Sequence, residues 1–275
     1  MTPGARIAAA IDILAAIGGG ERPADDTAAD YFRRRRYIGA KDRVQVASIV
    51  YAVLRHRAVI DWWIARASKG EVRPSARSRA IAALLLIPAC PSPAGGGAWT
   101  AQDIAASFDG GRFRPAALSP AESRLARGLA GRTLTHPEMP RAVACDIPDW
   151  LEPYLAALYG RRLEDEMAAL HQPAPFDLRV NALKADRETA RRALAAEHIE
   201  AEPTPWSPLG LRLKRRSPLA ATAAFRDGLI EVQDEGSQLA ALLADARPGM
   251  RVVDFCAGAG GKTLALAAQM QNRGR

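Results

Sequence analysis

Apolar positions along the first half of the chain repeat at the spacing of one helix face. Ile7, Ala10, Ile11, Leu14 and Ile17 form one such stripe, and Gly18-Gly19-Gly20 stops it. Val44, Ala47, Ile49, Val50, Val53 and Leu54 form a second, and Ile60, Trp63, Ile64 and Ala67 a third. Residues 80–87 are nearly all apolar, which predicts a helix buried on every side. Pro88, Pro91, Pro93 and Gly95-Gly96-Gly97 then break the chain into a loop, and weaker helices are predicted over 100–108 and 120–131. Residues 1–140 therefore read as an all-helical bundle with no internal repeat.

Pro137, Pro140 and Pro148 mark a change in composition, and the first domain boundary is placed at 136–148. Two short helices are predicted over 149–159 and 161–171, followed by the stiff linker Gln172-Pro173-Ala174-Pro175. Beyond it the period switches to two, and Phe176-Asp177-Leu178-Arg179-Val180 alternates as a strand. A helix over 187–197 has Asp186 as its N-cap, and strands are predicted at 201–204, 209–213 and 229–233. This order describes a small α+β module. Residues 237–246 return to a helix that Pro248-Gly249 ends; a short strand at 251–255, a glycine-rich loop and a helix over 262–270 complete the chain.

Composition narrows the class. Of 275 residues 48% are hydrophobic and 25% charged, values of an ordered globular protein. Cys90, Cys145 and Cys256 are too widely spaced for a disulfide framework or a zinc motif, which predicts a reducing, cytoplasmic setting. His56, His136, His171 and His198 neither cluster nor show ligand spacing, so no metal is expected. The apolar first segment contains Asp12 and only Arg6 as a cation, unlike a secretory leader, and no stretch reaches the roughly 20 apolar residues of a membrane span.

The net charge of +8 is compatible with nucleic acid, and its distribution is more telling. Between Tyr31 and Ala80 there are 13 Lys/Arg against 3 Asp/Glu, including the run Arg33, Arg34, Arg35 and Arg36. An isolated run is as well explained by a solvated helix face; the skew over the whole region favours a surface that faces a polyanion. Trp62-Trp63 could stack a base, but Trp63 falls on the apolar stripe, which favours core packing.

The segment 252–263 carries the chemistry. A strand that runs through a glycine-rich turn straight into a helix is the nucleotide-binding corner of an open α/β sheet, where free N–H groups of the helix start face a ligand. Gly258, Gly260 and Gly261 permit positive φ there and leave no Cβ in the ligand's way. Two ligand classes compete. Gly261-Lys262-Thr263 matches the end of a phosphate-binding P-loop, but the opening glycine of that motif would fall at Cys256. The other class is the methyltransferase type, in which the loop packs under a methionine-derived cofactor.

Asp254-x-Cys256-Ala257-x-x-Gly260-Gly261-Lys262-Thr263 resembles motif I of the RsmB/Sun (Fmu) family of RNA 5-methylcytosine methyltransferases. That family's loop usually reads Cys-Ala-Ala-Pro-Gly-Gly-Lys, and Gly258 and Ala259 here replace its Ala-Pro pair. Val232-Gln233-Asp234-Glu235-Gly236-Ser237-Gln238 is similar to the family's strand-to-helix segment before motif I. Leu178-Arg179-Val180-Asn181 resembles the start of its RNA-positioning module, and the helical first part resembles the NusB-like domain of bacterial members.

The resemblance implies a multidomain α and α/β chain. A NusB-like RNA-binding bundle would span 1–140, linker helices and an RRM-like α+β module 146–233, and the start of a Rossmann-like methyltransferase domain 234–275. It implies S-adenosyl-L-methionine as cofactor, held by Cys256, Ala257, Gly258, Ala259, Gly260, Gly261 and Lys262. RNA would be met by Arg33, Arg34, Arg35, Arg36 and Arg179, with ribosomal RNA the default substrate and tRNA the alternative.

In the family a cysteine thiolate adds to C6 of cytosine so that C5 can attack the methyl group, a base removes the C5 proton, and a second cysteine assists release. None of the three cysteines suits that role. Cys256 would line the cofactor pocket or serve as a small buried apolar residue, Cys90 belongs to packing, and Cys145 has no basic partner nearby in sequence. The catalytic residues are therefore expected downstream of Arg275, and the chain is read as a fragment, inactive alone. The alternatives are a non-catalytic NusB-like RNA-binding protein and, less favoured, a P-loop NTPase.

Overall fold

The computed structural model describes residues 1–20, 22–90, 92, 97–215 and 217–275; Pro91, Pro93, Gly95 and Gly96 of the expected loop lie outside them. Two compact units result, Met1–Gln172 and Pro173–Arg275.

In the first unit, capping chemistry sets several helix starts. α1 (Pro3–Gly18) begins where the Thr2 hydroxyl accepts from Ala5 N–H, with Pro3 at the first position. α2 (Ala24–Arg34), α3 (Ala40–Arg55) and α4 (Arg57–Ala67) follow. α5 (Ala76–Leu86), α6 (Ala101–Ser107) and α7 (Pro120–Leu129) open with reciprocal capping boxes at Ser75/Ser78, Thr100/Asp103 and Ser119/Glu122. The apolar run of α5 is buried throughout from Ala80 to Leu86, and this helix packs against α1, α3, α4 and α7. Ile7, Ile13, Ile60, Ile64, Ile81 and Leu84 belong to the core around it. Trp63 is buried there, its Nε1 donating to Leu134 O at 2.9 Å.

α8 (Arg141–Ala144), α9 (Glu152–Tyr159) and α10 (Leu163–His171) complete this unit. The units part at Gln172, not at the expected 136–148. The linker helices stay with the bundle because Asp146 accepts from Ala58 N–H, and the His171 ring lies 5.7 Å from that of His56. His56 and His171, 115 positions apart in the chain, are thereby brought side by side.

The second unit contains a four-stranded antiparallel sheet in the order β2-β3-β1-β4. Its strands are β1 (Phe176–Val180), β2 (Ala201–Pro203), β3 (Gly210–Leu213) and β4 (Ile230–Val232). Leu178 pairs with Leu211 on one side and Val232 on the other. α11 (Arg187–Ala196) starts as expected at Asp186, whose carboxylate accepts from Thr189 N–H at 2.7 Å. Ala190 and Leu194 of α11 share one apolar core with Leu178, Val180, Leu211, Leu213 and Ile230. The short α12 (Ala223–Arg226) precedes β4; α13 (Glu235–Leu243) and α14 (Gly261–Gln269) follow it and pack on each other.

One expected element differs. Residues 251–255 form no strand. Val253 and Phe255 are 88% and 93% exposed, so the apolar alternation that predicted a buried strand has no covering layer among the described residues. The segment does make one strand-like exchange: Arg275 N–H donates to Met250 O at 3.0 Å and Arg275 O accepts from Val252 N–H at 2.7 Å. Those two bonds are the pattern of a parallel pair. No helix among the described residues is long and apolar enough to cross a membrane.

Candidate functional site

The glycine-rich turn leads straight into α14. Gly258 has φ +54° and Gly260, the residue capping α14, has φ +88°, both in the left-handed region. A Cβ at Gly260 would meet nothing within 4 Å, so the turn borders open space. Gly261 does not use the positive φ open to it; it is the first helical residue, and a Cβ there would lie 3.4 Å from Gln233 Nε2. The first intrahelical bond is Leu264 N–H to Gly260 O, at 2.8 Å, so the amides of Gly261, Lys262 and Thr263 precede the ladder at the positive end of the helix. Asp254 accepts from Thr263 Oγ1 at 2.7 Å and closes the turn from the other side. A hollow of about 280 Å³ lies beside it, lined in part by Val252, Asp254, Thr263 and Leu266. Open space, glycine backbone and free helix-start amides fit a small polar ligand approached by backbone.

Cys256, Ala257, Gly258 and Ala259 are exposed along the turn, with Lys262 exposed on the first turn of α14. Cys256 is therefore not the buried apolar residue expected as one of its two roles. The other two thiols are buried, and burial pushes both up, Cys90 to about 12. Neither is poised to ionise as a nucleophile.

Behind the turn stands a buried polar seam that the sequence only hinted at. The sheet face opposite α11 carries Asp177, Arg179 and Arg212 in place of apolar side chains. Arg212 donates through Nε and Nη2 to both oxygens of Asp177, at 2.7 and 2.8 Å, and the Asp177 side chain has no exposed surface. Glu235, at the start of α13, accepts from the amides of Trp206 and Ser207 at 2.7 and 2.8 Å. Gln238 Nε2 donates to Leu178 O and Gln233 O, and its Oε1 accepts from Ser207 Oγ. Burial alone would raise the Glu235 carboxyl, but the Ser207 amide, the Thr204 hydroxyl, the Trp206 amide and Arg212 outweigh it and hold the group below the usual range. The 232–238 motif thus docks α13 onto the sheet. Opposite charges at the non-apolar positions of 177–179 and 212 were the available sequence signal.

Arg179 needs a correction. Expected to meet RNA, it is 3% exposed; its Nε donates to Gln233 Oε1 at 2.7 Å and its Nη2 to Glu231 at 2.6 Å. Its guanidinium is consumed within the seam, and through Gln233 it backs the start of α14.

On the first unit, Arg33 and Arg34 form the last turn of α2, and both pair with Asp30, at 3.1 and 2.9 Å. Arg35 follows as the C-cap, its Cζ 3.8 Å from the Tyr31 ring centroid, and Arg36 is exposed. The run is thus a helix C-terminus, where cations offset the carbonyl end of the dipole, and also an exposed cationic edge. Asp30 as the shared counter-ion was not foreseen. Among the described residues no group of three His, Cys, Asp or Glu is placed to hold a metal ion.

Comparison with known proteins follows the same line. Residues 147–220 match the family model of the ferredoxin-like domain of RsmF/B-like methyltransferases. A stretch of 128 residues, 46% of the chain, is 35% identical to the probable ribosomal RNA small subunit methyltransferase B of Bacillus subtilis (strain 168), covering 28% of that protein. Another, of 122 residues and 44% of the chain, is 39% identical to ribosomal RNA small subunit methyltransferase B of Pasteurella multocida (strain Pm70), covering 27% of it. The matched stretches span little more than a quarter of these relatives. The fold is similar over 100% of the chain to 63% of the crystal structure of PH0851, with a TM-score of 0.64 at 22% identity.

Proposed function

We propose that the chain belongs to the RsmB/Sun family of RNA methyltransferases and serves S-adenosyl-L-methionine-dependent methylation of cytosine C5 in ribosomal RNA, a reading supported by its similarity to RsmF/B-like methyltransferases. One observation carries the reading: the turn over 256–260 delivers the free amides of α14 to open space through Gly260 at φ +88°. Cys256, Ala257, Gly258, Ala259, Gly260, Gly261 and Lys262 would hold the cofactor, which supplies an electrophilic methyl group when bound. Backbone approach at Gly258 and Gly260 suits a bulky sulfonium ligand better than a phosphate wrap, because Cys256 stands where a P-loop needs its first glycine. Thr263, moreover, donates to Asp254 instead of pointing a free hydroxyl at a metal-bound phosphate.

In this reading the chain's own residues position the cofactor. Asp254 and Thr263 close the turn, and Gln233, held by Arg179, backs Gly261. We take 234–275 as the start of a Rossmann-like methyltransferase domain; the parallel exchange between Arg275 and 250–252 supports that reading. The helices over 1–140 are proposed as a NusB-like RNA-binding bundle, with Arg33, Arg34, Arg35 and Arg36 as its phosphate contacts. Disrupting the gene and mapping 5-methylcytosine in the cell's RNA by bisulfite sequencing tests the assignment. Loss of a cytosine mark from small-subunit ribosomal RNA is expected; an unchanged map across ribosomal RNA and tRNA would overturn it.

A further inference from the structure

The connector between α2 and α3 holds one aromatic ring out in solvent amid a run of cations. From Tyr31 to Lys41 the chain has five cations and no acid. The side chains of Arg33 and Arg34 are 67% and 73% exposed, and Arg36 and Lys41 are exposed as well. Tyr31 is committed inward: its hydroxyl donates to Asp12 and Arg35 lies over its ring. Tyr37 is the opposite case, with 75% of its surface open. Its backbone is nonetheless pinned. The next residue, Ile38, is 1% exposed, its N–H donates to Arg35 O at 3.0 Å, and its O accepts from Arg43 Nε at 2.8 Å. The ring therefore projects from an anchored turn, and little ordering is left to be done when a ligand arrives.

We propose that Tyr37 is a base-stacking post for a single-stranded stretch of RNA whose phosphates lie along Arg33, Arg34 and Arg36. The inference rests on the RNA-binding reading of this unit and deepens it. Cations alone hold duplex and single strand alike by release of counter-ions and, if anything, favour the more densely charged duplex. A free aromatic face does choose, because bases inside a duplex are already covered on both sides by their neighbours. Stacking is sequence-tolerant, so this post selects unpaired structure and leaves the choice of nucleotide to other contacts.

The test is fluorescence anisotropy over a range of salt concentrations. The full chain is titrated against a labelled single-stranded oligoribonucleotide and against the same strand annealed to its complement. Tyr37→Ala is expected to weaken single-strand binding by roughly tenfold or more, with the slope of log affinity against log salt unchanged, since a ring releases no counter-ion. Tyr37→Trp is expected to keep the affinity, with its added emission quenched when RNA binds. Replacing Arg34 and Arg36 together by Gln is expected to weaken both RNAs and flatten the slope.

If Tyr37→Ala binds the single strand like the parent while the arginine variant loses both RNAs, the stacking post is overturned and the cationic grip survives. Equal loss on duplex and single strand in Tyr37→Ala also overturns it, as does an unquenched Tyr37→Trp. If the arginine variant binds both RNAs with an unchanged slope, as it would if this edge met an acidic protein instead, the RNA reading itself fails.

Discussion

Thr263 Oγ1 donates a 2.7 Å hydrogen bond to Asp254, which ties the first turn of α14 to the residue where the glycine-rich turn departs. Both partners flank a loop whose side chains at 256–259 are small and exposed, so this bond is a main restraint on its shape. Thr263→Val keeps the size and removes the donor. It is expected to cost about 1 kcal/mol and to speed hydrogen exchange at the Leu264 amide, read by mass spectrometry.

Two adjacent glycines should respond unequally to the same change. Gly260 has φ +88° with empty space around its missing Cβ, so Gly260→Ala meets backbone strain alone, about 1–2 kcal/mol. Gly261 is helical, and its added methyl would touch only the Gln233 amide at 3.4 Å. Gly261→Ala should therefore change stability by less than about 1 kcal/mol in either direction. Urea unfolding of the two variants separates them, and equal losses would contradict the assigned conformations.

Glu235 makes the second unit sensitive to acid. Its carboxyl is held below the usual range in the folded chain, so its contribution is complete above the ordinary glutamate value and is lost as pH falls through the lower, folded one. Glu235→Ala strands the Trp206 and Ser207 amides and should cost about 2–3 kcal/mol near neutrality. The gap between variant and parent should narrow toward acid. Melting temperatures recorded from neutral pH down to the acid limb check both statements.

Arg179 separates structure from RNA contact. With the guanidinium gone, Gln233 and Glu231 lose their partner inside the seam, and Arg179→Met should cost about 3 kcal/mol of stability. The salt dependence of RNA binding should stay as it was, because no phosphate contact has been removed. A shallower salt slope in this variant would return Arg179 to the RNA surface.

Much of this was legible in the sequence, for identifiable reasons. α1, α3, α4 and α5 bury strong apolar stripes, and Asp186 caps α11 with its own side chain, so local pattern and structure agree. α2 buries only Ala28, so it offered too few apolar positions to announce a helix that ends at Arg33 and Arg34. The seam was hidden because partners such as Ser207 with Glu235 and Leu178 with Gln238 lie 28 and 60 residues apart. For the same reason Arg179 was misjudged: a cation in a strand looks available until its neighbours across the sheet are known. The strand expected at 251–255 failed for lack of covering partners among the described residues, not for lack of pattern.

β1 presents two incompatible chemistries on its two sides, and this makes its placement self-proofreading. Sliding it by a single residue would turn Asp177 and Arg179 toward Leu194 and push Leu178 among carboxylates and guanidinium groups. An all-apolar strand could slip at small penalty; this one cannot, and the helix start hung on its Gln233 contact inherits that fidelity.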